Sequence, residues 1–190
     1  APSIRGLNTE DTTLTEGTIF YDIRFFAIAP DTHDRIRLIL NIEAQNDYNP
    51  GYPLMKRAVY YAASLISSQY GTEFQNSSYQ DIKKVYSIWI CTMPTKKWEY
   101  NISRYRLTEE HLMGHAQAER SHYDLVNIVF VCLGNKSYKQ LKGILRLLNM
   151  LLLDNISSQE KQELLSKEFN VTMTPHLEKG VAAMCNLSEG

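Results

Sequence analysis

The chain has 190 residues, 44% hydrophobic and 22% charged, which is enough for one globular domain with a substantial core. A net charge of −1 gives no overall attraction to nucleic acid or anionic membrane, though a local basic groove is compatible with it. No apolar run approaches the ~18–20 residues of a membrane span, and three cysteines without a CxxC pair do not form a disulfide framework.

In chain order, residues 1–16 are polar and Thr-rich and read as irregular. TIFYDIRFFAI (18–28) is rich in β-branched and aromatic residues and predicts a strand. The turn PDTHD follows, then RIRLILNIEAQ, a second strand. NPGYP breaks the chain and opens a helix at about Pro53. That helix carries Leu54, Ala58, Tyr61 or Ala62, and Leu65 on one side. After a loop at 71–80, KVYSIWICTM predicts a buried strand. A cap signal at Thr108 suggests a helix within LTEEHLMGHAQAE. DLVNIVFVCLG (124–134) is the fourth strand. Leu141, Ile144, Leu145, Leu148, Leu151 and Leu152 then make an apolar helical stripe, with Lys142, Arg146 and Asn149 opposite. Further helices are expected at Ser157–Glu168 and in the tail. The order indicates a single mixed α/β or α+β domain over residues 1–190, with helices covering a small sheet.

Two acids sit where strands disfavour them, Asp22 in the first strand and Glu43 in the second. If the hairpin is centred between Thr32 and His33, the numbers of facing residues add to 65. Arg24 then faces Asn41, Asp22 faces Glu43, and Phe20 faces Gln45. Directly opposed side chains share one face, with Cβ atoms ~4.5–5.5 Å apart. A slip of one residue would place the acids on opposite faces. Facing carboxylates are destabilising unless Arg24, a shared proton or a divalent cation compensates, and magnesium suits the last. The plain alternative is a charged stripe on a solvated face. Phe20, Phe26, Ile28 and Ile39 on the same face argue instead for semi-buried acids, which are functional candidates.

Asp on one strand, Glu-x-Gln on the next, then a helix resembles the PD-(D/E)XK nuclease superfamily. More closely, EGTIFYDIRFFAIAP, NIEAQNDYNPGYPLMKRAVYYAASLISSQYGTEF and KKVYSIWIC are similar to bacterial PD-(D/E)XK nuclease-family transposases, relatives of the recombination-promoting nucleases. The likeness extends through DLVNIVFVCLGN to MCNLSEG. It implies a restriction-endonuclease-like core, a mixed central sheet flanked by helices, and a DNA endonuclease using Mg (or Mn), in a chain whose three cysteines in apolar surroundings read as reduced and cytoplasmic. Asp22 and Glu43 would be catalytic metal ligands, joined by the backbone carbonyl of Ala44. Gln45 takes the place of the usual lysine and would orient a water. The following helix would bring Lys56, Arg57, Tyr60, Tyr61 and Gln69 toward DNA. Lys83, Lys84, Lys96, Lys97, Arg104 and Arg106 could extend a basic track.

An amide cannot supply the lysine's charge, so a nuclease-like domain that binds nucleic acid or a protein without cutting is the alternative expectation. Carbohydrate chemistry by the paired acids ranks last, for want of a sugar platform. The resemblance also implies that an acidic helix preceding the Asp strand, and a C-terminal extension, lie outside this sequence, which starts at Ala1. Cutting both strands would favour a homodimer. His111 and His115 lack an HExxH pattern and a third ligand, and read as solvated.

Overall fold

The computed structural model describes residues 4–6, 10–13, 17–20, 23–28 and 37–187. The chain divides into two compact units, residues 1–91 with 102–131, and residues 92–101 with 132–190. Among the described residues the strands are β1 (Ile4–Gly6), β2 (Glu10–Thr13), β3 (Gly17–Phe20), β4 (Ile23–Ile28), β5 (Arg37–Asp47), β6 (Val85–Met93), β7 (Asn101–Arg106) and β8 (Val126–Cys132). The helices are α1 (Leu54–Ser67), α2 (Gly143–Leu152), α3 (Ser158–Phe169) and α4 (Pro175–Leu187). Six strands form one sheet in the order β1-β4-β5-β6-β8-β7, and β2 pairs with β3 separately.

In the first unit, β6 alternates with a period of two, burying Val85, Ser87, Trp89 and Cys91. β8 buries nearly every residue from Asn127 onward, as a central strand covered on both faces does. Helix α1 buries Leu54, Ala58, Ala62 and Leu65, the periodic face read from the sequence, and begins directly behind Pro53. Leu65 and Val85 form a core cluster with Tyr61, Ile66 and Val126 around it. Trp89, fully buried, stacks on Phe130 with ring centroids 6.1 Å apart.

In the second unit, α2, α3 and α4 enclose a cluster of Tyr138, Met150, Leu165 and Val181. Ser157 caps α3 by accepting from the Glu160 N–H, as its position predicts. Asn170, left-handed at φ 51°, ends that helix. Lys161, also buried, donates from Nζ to the Leu151 carbonyl at 2.9 Å, satisfying an end of α2 where a cation suits the helix dipole.

Four expectations need correction. Residues 4–6 and 10–13 are strands, because each finds an antiparallel partner, β4 and β3 respectively. The expected strand over 18–28 is described as two, β3 and β4, which belong to different sheets. No helix follows Thr108: the chain forms β7 and then an exposed loop, in which Glu109 Oε1 accepts from the Ala118 N–H. A carboxylate at a helix start can bond a nearby backbone N–H in a loop equally well. Finally, Asn149 lies on the buried side of α2, where its amide donates to the carbonyls of Gly134 (2.8 Å) and Lys136 (3.1 Å). Two backbone acceptors outweigh the apolar periodicity there.

Candidate active site

β4 and β5 lie antiparallel, with Ile23 opposite Ile42, Arg24 opposite Asn41, Phe25 opposite Leu40, Phe26 opposite Ile39, Ala27 opposite Leu38 and Ile28 opposite Arg37. Every pair adds to 65, the register expected from the turn. Asp22, the first expected acid, lies outside the described residues. Glu43 follows Ile42 on β5 and is only 3% exposed. Phe20 is a different matter: its partner is Glu10 on β2, and β3 belongs to the two-stranded sheet, so the facing of Phe20 and Gln45 is not found.

Exposure rises along one face of β5, from buried Glu43 through half-buried Gln45 to exposed Asp47. Gln45 Nε2 donates to the Asp47 carbonyl at 2.7 Å, and Asp47 Oδ1 accepts from the Asn49 N–H at 2.8 Å. The strand end is thereby pinned by local polar bonds before the chain turns into α1.

Helix α1 presents an arginine held from several sides. Arg57 Nη1 donates to the Tyr52 hydroxyl at 3.0 Å and Nη2 to the Tyr61 hydroxyl at 3.0 Å. Its guanidinium carbon lies 4.9 Å from the Tyr61 ring centre and 5.3 Å from that of Trp89. Burial opposes the charge, but the hydroxyls of Tyr61 and Tyr52 outweigh it and raise the pKa of the guanidinium above the usual arginine value. Lys56, the neighbouring expected contact, is exposed.

Gln69 is placed differently from the expectation. It is 1% exposed, accepts from the Lys83 N–H at 2.7 Å, and donates to the carbonyls of Lys83 (2.9 Å) and Leu65 (3.3 Å). Its amide clamps the loop after α1 to the start of β6. The basic track is similarly altered, since Lys83 pairs with Glu73 at 3.0 Å and Lys84 with Asp124 at 2.8 Å.

Sequence reading missed Tyr52 and Trp89. Tyr52 lies in the NPGYP turn, five residues before Arg57, and looks like turn filler. Trp89 comes from β6 and reaches Arg57 only through tertiary packing.

Among the described residues no group of three or more His, Cys, Asp or Glu side chains could hold a metal. The donors that β5 does supply, the Glu43 carboxylate and the Ala44 main-chain oxygen, are hard oxygens of the kind magnesium and manganese prefer. No described helix is long and apolar enough to cross a membrane.

Compared with known proteins, residues 11–182 match the family model of a PD-(D/E)XK nuclease family transposase. No curated protein and no solved structure matches the chain. The mixed α+β architecture fits the restriction-endonuclease-like fold of that family.

Proposed function

The chain belongs to the PD-(D/E)XK nuclease family transposases, and from that premise we propose that it is a metal-dependent DNA endonuclease acting in transposition or recombination. The observation that carries this reading is buried Glu43, next in line after a run of pairs whose register, continued by one step, would oppose it to Asp22. A buried carboxylate needs a cation or strong hydrogen bonds to offset its lost hydration. Asp22, Glu43 and the Ala44 carbonyl would hold Mg²⁺ or Mn²⁺. Such an ion, when bound, lowers the pKa of a bound water and polarises a phosphoryl oxygen. Gln45, half-buried beside Glu43 on the same face, would orient the attacking water through its amide. Lys56, Arg57 and Tyr61 would meet the DNA backbone, the arginine as a planar donor. Gln69 acts on the fold, through the Lys83 backbone, and is not retained as a DNA contact.

The test is nicking of supercoiled plasmid in Mg²⁺ or Mn²⁺ by the wild type, Asp22→Asn and Glu43→Gln, with calorimetric titration of the metal. Metal-dependent nicking that both variants lose is expected. Equal nicking by all three proteins, with equal metal binding, would sink the assignment.

One observation favours a second reading, a nuclease-like domain that binds without cutting. Residue 45 is a neutral glutamine with one amide N–H bonded to the Asp47 carbonyl, and it supplies no positive charge where the superfamily places its lysine. Tight DNA binding with no nicking in either metal would select this reading.

A further inference from the structure

Arginine side chains on a helix surface are ordinarily free to sample many rotamers, and ordering one costs entropy on binding. Arg57 is already ordered. Two tyrosine hydroxyls accept from its two terminal nitrogens, and the rings of Tyr61 and Trp89 stand against it. A guanidinium has five N–H donors. The two hydroxyls take one from each terminal nitrogen, which leaves three. The residues that hold it come from three places: Tyr52 from the turn leaving β5, Tyr61 from the next turn of α1, and Trp89 from β6. Trp89 is itself fixed, with Nε1 donating to the Ser87 hydroxyl at 2.9 Å. No acidic residue lies in the first turn of α1 to neutralise the guanidinium. The bonds described for this half-buried arginine are to neutral hydroxyls. Among the described residues its charge meets no carboxylate, which suits an anion that arrives with the substrate.

We infer that Tyr52, Tyr61 and Trp89 are positioning residues that hold Arg57 as a preset anchor for one backbone phosphate of DNA. This rests on the nuclease reading for the identity of the ligand, but it concerns binding and not cleavage. Tyr52 also joins the anchor to the turn that leaves the strand carrying Glu43, five positions beyond its end at Asp47.

The experiment uses the full chain and a fluorescent DNA duplex in EDTA, with binding followed by anisotropy from about 50 to 200 mM salt. Arg57→Gln is expected to weaken binding roughly tenfold and to reduce the salt slope by about 0.9, the value of one phosphate contact. Tyr52→Phe keeps every charge, yet should reproduce part of both effects. The double variant should bind no more weakly than Arg57→Gln alone, because Tyr52 acts through Arg57. Trp89→Phe should behave like Tyr52→Phe, with thermal melting to confirm that each variant is folded. Lys167→Ala, on α3, is the control and should leave the slope unchanged.

A wild-type slope in Arg57→Gln overturns the anchor, as does a wild type that does not bind the duplex. Additive losses from Tyr52→Phe and Arg57→Gln, or wild-type binding by Tyr52→Phe, overturn the positioning role. Failure of the nuclease reading is separable: Arg57-dependent binding with nicking indifferent to Glu43→Gln leaves the anchor standing and removes the active site.

Discussion

Arg24 on β4 stands opposite Asn41 on β5 in an antiparallel pair. That single relationship sets the parity of the whole ladder, because side chains alternate faces along both strands. Glu43, two positions beyond Asn41 on β5, therefore has the same parity in the ladder as that pair. At 3% exposure it is a carboxylate that the sheet has taken out of water. Under the proposed function, Glu43→Gln should cost at least ~100-fold in plasmid nicking, since even outer partners of metal ligands are worth 10–100-fold. Far-UV circular dichroism should be unchanged, as glutamine fills the same space. Nicking within a few fold of wild type would remove Glu43 from the site.

Gln69 supplies a stability prediction independent of function. Its amide both accepts from and donates to Lys83, satisfying the backbone at the entry to β6. Gln69→Leu preserves the volume and leaves those buried groups unpaired. The expected loss is about 2–3 kcal/mol, read as a lower urea midpoint at unchanged m-value. A midpoint equal to wild type would show that water replaces the amide at no cost.

Asp124 governs a pH-dependent term. Burial pushes its carboxyl upward, but Lys84 at 2.8 Å and Arg120 at 3.1 Å outweigh it and hold the group below the usual carboxylate range. A folded-state pKa below the unfolded value, about 3.9, contributes stability above that value and loses it as pH falls through the folded one. The wild type should therefore lose stability below about pH 4. Asp124→Asn should be weaker at neutral pH and show a smaller acid-side drop in urea midpoints between neutral pH and pH 3. Parallel curves for the two proteins would contradict this.

Gly134 is a position where only a hydrogen fits. A Cβ built there would overlap the ring carbons and hydroxyl of Tyr100. That tyrosine is held in place by its hydroxyl, which accepts from the Lys136 N–H at 2.7 Å and donates to Asn135 Oδ1 at 3.1 Å. Gly134→Ala should destabilise by about 1–3 kcal/mol. In a Tyr100→Ala background most of that cost should vanish, giving a clearly non-additive thermal-melting cycle. Additive effects would mean the two residues are not in conflict.

Much of the fold was legible because its signals are local. The period of α1, its start at Pro53, the Ser157 cap and the alternation of β6 all follow from neighbouring residues. Turn arithmetic sufficed for the β4–β5 register, because a hairpin's pairing depends on its loop. What failed were the features whose partners are distant. The strands before residue 14 carry few apolar residues and form because β3 and β4 offer edges. Asn149 looks polar and exposed until the carbonyls of Gly134 and Lys136 are set beside it. The cap signal at Thr108 had no packing to sustain a helix.

The candidate site divides in the same way. Glu43 and Arg57 could be named from the sequence by strand chemistry, by register and by likeness to a nuclease family. Whether a polar side chain faces substrate or serves the fold could not, because Gln69 and Arg57 both read as polar groups on one helix. Folding buried the first against the Lys83 backbone and set the second between two hydroxyls and two aromatic rings. Sequence determined which groups are polar; the packing around α1 and β6 decided that the amide of Gln69 serves the backbone and that Arg57 is held by hydroxyls and rings, because only three-dimensional neighbours supply those bonds.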